Sequence, residues 1–209
     1  MVNYQLNIRL ATQDVRTING AGQKVAIVKS VGNTSGTPVI WVGFAPFENN
    51  QVSWQNQYGV YASSTQVQSG ATIFKTSAVN PASANTFYPF VNGTFNSPNP
   101  PGGGDNTYGI SNNYSQQFTF GMAQSVTANG NTFDANPLNA VPVLSKQNAV
   151  FTPIEIVKVF LFGNFDNGVI ISNITSNALI VDLTKDPNPT IKYDQSSGTF
   201  VMASALATA

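Results

Sequence analysis

The sequence predicts an all-β chain: an antiparallel two-sheet β-sandwich, jelly-roll-like or Ig-like, in a single domain over 1–209. Three observations carry that reading. Apolar and polar residues alternate at period two, the pattern of a strand with one face on a core. Clusters of Gly, Pro, Asn and Ser separate the short apolar runs at roughly 8–12-residue spacing. Helical periodicity never extends over a convincing length. With 209 residues and 42% hydrophobic content, the chain can bury a sizeable core.

The elements follow in order. In "NYQLNIRL", Tyr4, Leu6, Ile8 and Leu10 share one side, with Asn3, Gln5, Asn7 and Arg9 on the other. That is a half-buried strand. In "TQDVRTINGAG", Thr12 caps a short helical turn carrying Val15 and Ile18, stopped by Gly20 or Gly22. "KVAIVKSV" at 24–31 and "PVIWVGFA" at 38–45 read as a hairpin with a longer loop. Short runs follow at "QVSW", "YGVYAS", "ATIFKTS" and "TFYPFV". Residues 92–107, "NGTFNSPNPPGGGDNT", are dense enough in Pro and Gly to forbid a regular ladder, so an extended loop is expected there. "QQFTFGMAQSV" resumes strand character, with Phe118, Phe120 and Met122 on one face. Further runs lead to "IEIVKVFLFG", "GVIISNI", "NALIVDLT", "TIKYD" and "GTFVMAS", and "FDNG" at 165–168 signals a type I′ hairpin. "VNGTFNSPNP" and "ANGNTFDANP" share a loose Asn-Gly…Phe…Pro pattern, too weak for a repeat.

Charge sets the first functional limits. Only 9% of residues are charged, against about a quarter in ordinary soluble domains, and the net charge is zero. Such a surface is wetted by neutral amides and hydroxyls, and it does little to keep copies apart, so a homo-oligomer is expected. It offers no basic footprint for nucleic acid and little attraction to anionic membranes. Cys and His are absent. That removes disulfides, thiol nucleophiles, the Ser-His-Asp triad and the favoured ligands of zinc, copper and haem. No cofactor or metal is expected. "GGGDNT" and "NFDNG" lack the spaced acids of a calcium loop. "MVNYQLNIRL" carries no basic segment followed by an apolar run, so the expected location is cytoplasmic, with non-classical secretion as the other route.

Acid–base catalysis would fall to carboxylates. The two Glu residues, Glu48 and Glu155, are the sharp hydrolase hypothesis. Against it, Glu48 reads as a loop residue and Glu155 as an edge-strand residue after Pro153, so no enzyme is expected. Aromatic residues beside amides point elsewhere. "VSWQNQYGVYAS" holds Trp54, Tyr58 and Tyr61 without a charge, and "NTYGISNNYS" holds Tyr108, Asn112, Asn113 and Tyr114. A pyranose lays its C–H face on an aromatic ring and offers hydroxyls to amides, which both donate and accept. The simpler reading makes the large aromatics core packing. The function expected is therefore non-enzymatic, lectin-like carbohydrate binding, with Trp54, Tyr58, Tyr108, Asn112, Asn113 and Tyr114 as binding residues and glycans as partners. Two other readings stand beside it. One is a β-sandwich pore-forming cytolysin, for which "FTFGMAQSVTANG" would be a spanning segment although Gln124 breaks its apolar face. The other is a self-assembling structural or inclusion protein. Neither "VSWQNQYGVYAS" nor "FTPIEIVKVFLFG" matches a named family's pattern, so no site is carried over.

Overall fold

The alternation of "NYQLNIRL" becomes β1 (Asn3–Arg9) in the computed structural model, which describes residues 2–32, 36–99, 104–163, 165–172, 174 and 177–203. After β1 come α1 (Thr12–Gly20), β2 (Lys24–Gly32), β3 (Thr37–Pro38), β4 (Val42–Phe44), β5 (Asn49–Gln55), β6 (Gly59–Ser63), β7 (Lys75–Val79) and β8 (Thr86–Val91). The chain continues through β9 (Thr94–Phe95), β10 (Tyr108–Asn112), β11 (Phe118–Ala128), β12 (Asn131–Pro137) and β13 (Asn139–Val143). It ends with β14 (Asn148–Phe162), β15 (Leu179–Asp182), β16 (Thr190–Asp194) and β17 (Thr199–Met202). Among the described residues, no helix is long and apolar enough to cross a membrane.

The all-β prediction holds, and the strands fall into two sheets. One runs β17-β16-β1-β5-β11-β13-β3, with β12, β6 and β7 joined through β11 and β6. The other runs β4-β2-β14-β10-β8-β9, with β15 on β14. Both contribute to one core. Leu6, Ile8, Val52, Phe120 and Met122 come from the first sheet, and Val25, Ile27, Phe90, Phe151 and Val157 from the second. A second cluster, with Ala26, Val28 and Phe160, packs under Phe165, Val169 and Ile171. This buries β2 on both faces, which is why "VAIV" is continuously apolar rather than alternating.

The antiparallel prediction needs correction, because each sheet contains a parallel pair. β1 lies parallel to β16, and β8 lies parallel to β10. Parallel neighbours need a crossover of a dozen or more residues. Residues 92–107 supply one between β8 and β10. That segment is also less irregular than its composition suggests. Asn92 and Gly93, at φ 53° and 83°, form a tight turn that folds β9 back on β8. Positions 100–103 of the segment lie outside the described residues. Asn129 and Gly130, at φ 49° and 82°, repeat the same turn between β11 and β12. The pattern shared by "VNGTFNSPNP" and "ANGNTFDANP" is thus a shared turn chemistry.

Other expectations change in detail. "PVIWVGFA" is two short strands in different sheets: β3 pairs with β13, β4 pairs with β2, and Val39, Ile40 and Trp41 cross the interior between them. "FDNG" does turn, with Gly168 at φ 83°, but among the described residues no two strands close across it. Val169 and Ile170 bridge Thr72 and Val39 instead. Helix α1 runs the full Thr12–Gly20, but Ala11 is its N-cap, and the Thr12 hydroxyl donates to Glu48 Oε1 at 2.7 Å.

Candidate functional site

An ion pair lies between the two sheets. Lys29 projects inward from β2, and its side chain is 0% exposed. Its Nζ donates to Glu155 Oε2 at 2.8 Å, Gln124 Oε1 at 2.7 Å and the Tyr58 hydroxyl at 3.2 Å. All three ammonium protons therefore have acceptors. Rings enclose the charge: the centroids of Tyr58, Trp54, Trp41 and Tyr4 lie 5.1, 5.3, 5.5 and 6.0 Å from Nζ. Desolvated cations gain from such faces. Glu155 also accepts from the Trp54 indole N–H at 3.2 Å and from the Tyr58 hydroxyl.

Local structure explains how Glu155 reaches this point. Between Pro153 and Val157, β14 carries more residues than the facing stretch of β2, and Glu155 sits within that irregularity. It occupies the middle of a 15-residue strand flanked on both sides, not an edge as predicted. Burial pushes the Lys29 amine down to about 8, while the Glu155 charge and hydrogen bond pull it back up. Burial first, and then the same carboxylate, holds the Tyr58 hydroxyl well above the usual phenol range. Glu48 is exposed beside α1 and bonded to Thr12, whereas Glu155 is held by Lys29, Trp54 and Tyr58.

Outside this cluster lies a cleft of about 430 Å³, within the range of small-molecule sites. It opens where β11 changes partners. Ser53 and Val52 of β5 pair with Thr127 and Ala128, whereas the earlier stretch of β11, from Thr119 to Ala123, pairs with β6 from Ser63 to Gly59. Between these stretches β11 is irregular from Gln124 to Val126. The Gln124 side-chain amide donates to the Gln55 carbonyl at 2.7 Å, replacing a ladder bond where the strands part. Gln124 therefore serves both the cleft and Lys29, and its interruption of the apolar face has a structural purpose. The cleft walls are uncharged: Asn3, Gln5, Ser53, Gln55, Asn80 and Asn188 among them. Tyr4 and Trp54 border it too, but both are buried, with their rings stacked at 5.7 Å and 23° on the core side of the sheet.

The six predicted binding residues do not form one site. Trp54, Tyr58, Tyr108 and Asn112 are buried, so none is an open stacking platform. Trp54 lines the cleft but is only 4% exposed. Tyr58 meets Tyr108 edge-on at 5.9 Å inside the core. Asn112 donates to the Gln116 and Val143 carbonyls, both at 2.9 Å, and accepts from the Tyr114 N–H. It is a turn-holding amide. Asn113 is exposed, and Tyr114 is half-buried against Phe90 and Phe118. Tyr114 lines a separate polar cleft with Gln66, Gln116 and Gln117. Sequence reasoning missed Asn3, Gln5 and Gln55 as site residues. Their signal was present as the polar half of an alternating strand, which reads identically on any solvated sheet face.

Among the described residues, no group of three or more carboxylates stands ready to hold a metal ion. Comparison with protein-family models, with curated proteins and with solved structures found no match.

Proposed function

We propose that this protein binds carbohydrate without turning it over, through the cleft between β1, β5 and β11. The observation that carries the reading is the cleft's chemistry: amide and hydroxyl walls with no charge, on the sheet face opposite the buried Tyr4 and Trp54 rings. Sugar hydroxyls need partners that donate and accept at once, and Asn and Gln do both. The two sheets with their shared core are read as a β-sandwich, a scaffold rigid enough to hold those amides in place.

Trp54→Ala is a poor test, since the indole holds Glu155 and lies in the core. Gln55→Ala and Asn3→Ala are better, because both side chains are exposed. A glycan array on the intact chain should identify a ligand. Titration calorimetry should then show each variant roughly tenfold weaker, the loss expected when a ligand hydrogen bond goes missing. The thermal midpoint should stay unchanged, and Gln66→Ala in the other cleft should bind as the parent does. The reading is lost when the array stays blank or the two cleft variants bind normally.

Self-association is proposed on a separate observation. Phe74 and Ile180 are 73% and 61% exposed on a chain with no net charge to hold copies apart.

A further inference from the structure

The outward face of β1 and β5 continues past the cleft. The residues in register along it are Asn3 with Gln55, Gln5 with Ser53, Asn7 with Gln51, and Arg9 with Asn49. All of them are exposed or half-buried, on the side opposite Tyr4, Leu6 and Ile8. At strand rise, the row from Asn3 to Arg9 is about 20 Å long. A second cleft, lined by Asn7, Arg9, Asn49, Gln51, Asn129 and Phe47, occupies its far end. The Gln5 side chain donates to Asn7 Oδ1 at 2.9 Å, joining the two ends into one amide surface. A single sugar would fill one cleft. A face of this length with a cleft at each end suits a linear chain.

The far end differs from the near end in two ways. The first is Phe47, whose ring is 61% exposed. Its backbone is fixed: the Phe47 N–H donates to Asn50 Oδ1 at 2.8 Å, and the Asn50 amide donates back to the Phe47 carbonyl at 2.7 Å. Asn50 is itself buried and also accepts from the Asn129 amide. The preceding Pro46 carbonyl accepts from Asn19 of α1. An exposed ring on a pinned loop loses little freedom when a ligand stacks on it.

The second is charge. Arg9 lies in register with Lys192 of the parallel strand β16, and both are exposed. Like charges side by side on a sheet repel. Neither cation has an ion-pair partner among the described residues. The nearby carboxylate, Glu48, is bonded to Thr12. In a chain with only 9 basic residues, two adjacent and unpaired ones at the end of an amide row stand out. An anionic ligand group placed there would relieve the repulsion.

We infer that the ligand is a linear glycan lying along β1 and β5, with an anionic sugar, carboxylated or sulfated, between Arg9 and Lys192 and a neighbouring ring on Phe47. This inference rests on the carbohydrate-binding reading and specifies its ligand. The test titrates the full chain with three sets of linear oligosaccharides: neutral, uronic-acid-containing and sulfated, each from one to six sugars. Affinity should rise with length. At low salt, one of the acidic sets should bind up to roughly fivefold tighter than the neutral set, the upper end of the range for a solvent-exposed charge contact. Arg9→Gln or Lys192→Gln should remove that gain, as should high salt. Phe47→Ala should weaken the longer chains and leave the monosaccharide unaffected. Whichever acidic set gains identifies the anionic group. Equal binding of neutral and acidic chains, or no gain with length, overturns this inference while the cleft's sugar binding stands. Failure of every saccharide to bind overturns both.

Discussion

Lys29 is the residue on which the interior turns. A buried ammonium is tolerated only when its charge and all its protons are matched, and Glu155, Gln124 and Tyr58 do this. Lys29→Met removes the counter-charge of Glu155 and should cost about 3–5 kcal/mol in urea denaturation. Combining Lys29→Met with Glu155→Gln should recover most of that loss, because no buried charge is left alone. The pH profile carries the same signature. Lys29 keeps its proton only up to about pH 8 in the folded chain, against an ordinary value of 10.5. The unfolded chain therefore binds more protons between those values, and this group's contribution to stability increases as pH rises from 8 toward 10.5. Tyr4, Tyr58, Tyr61 and Tyr108 oppose it at the upper end. Burial raises all four phenols, so above about pH 10 the unfolded chain ionises them first and stability falls. The urea midpoint should climb from pH 8 to near 10 and then decline. A profile flat across pH 8–10 would mean that burial does not lower the Lys29 amine in the folded chain. Lysine at position 29 was legible in the sequence only as a polar interruption of "KVAIVKSV"; nothing in one chain segment announces an acceptor 126 residues away.

Among the elements, β11 does most to shape the site. It changes neighbours on each of its edges, from β6 to β5 on one and from β13 to β12 on the other. The partner change from β6 to β5 opens the cleft. Its glycines and its turn separate two kinds of constraint. Gly130 needs φ 82° but has open space around it, so Gly130→Ala should cost about 1–2 kcal/mol, the penalty of left-handed backbone. Gly121 has ordinary backbone but no room: an added Cβ would collide with the Asn139 carbonyl oxygen. Gly121→Ala should cost about 3 kcal/mol, since a backbone atom must move. Thermal unfolding of the two variants ranks them, and the reverse order would contradict the packing of β11 against β13. The Asn-Gly turns were readable because their chemistry is local. Asp166-Asn167-Gly168 shows the limit of the same signal, for its turn forms while its flanks pair elsewhere.

Across the whole molecule, scarcity of charge decides behaviour in solution. The sequence pI is about 6.1, so repulsion between copies is weakest there. Because a chain without His or Cys changes charge little between roughly pH 5 and 8, light scattering at rising concentration should show the most assembly across that range and less in acid or alkali. Phe74→Ser should reduce it at every pH if the exposed ring takes part. Assembly independent of both pH and Phe74 would point to another surface. The same scarcity makes the Arg9–Lys192 pairing conspicuous, as two cations would pass unnoticed on a surface of ordinary charge density.

By itself the sequence determined the all-β class, the tight Asn-Gly turns, the neutral surface and the absence of imidazole and thiol chemistry. These are properties of composition and of neighbours within a few residues, which a chain carries however it folds. Tertiary structure alone decided that β8 and β10 run parallel, that "PVIWVGFA" is split between two sheets, and that Trp54 and Tyr58 face an ion pair rather than solvent. Each depends on which distant segment arrives alongside. An alternating strand specifies two faces and leaves open which neighbour covers either one.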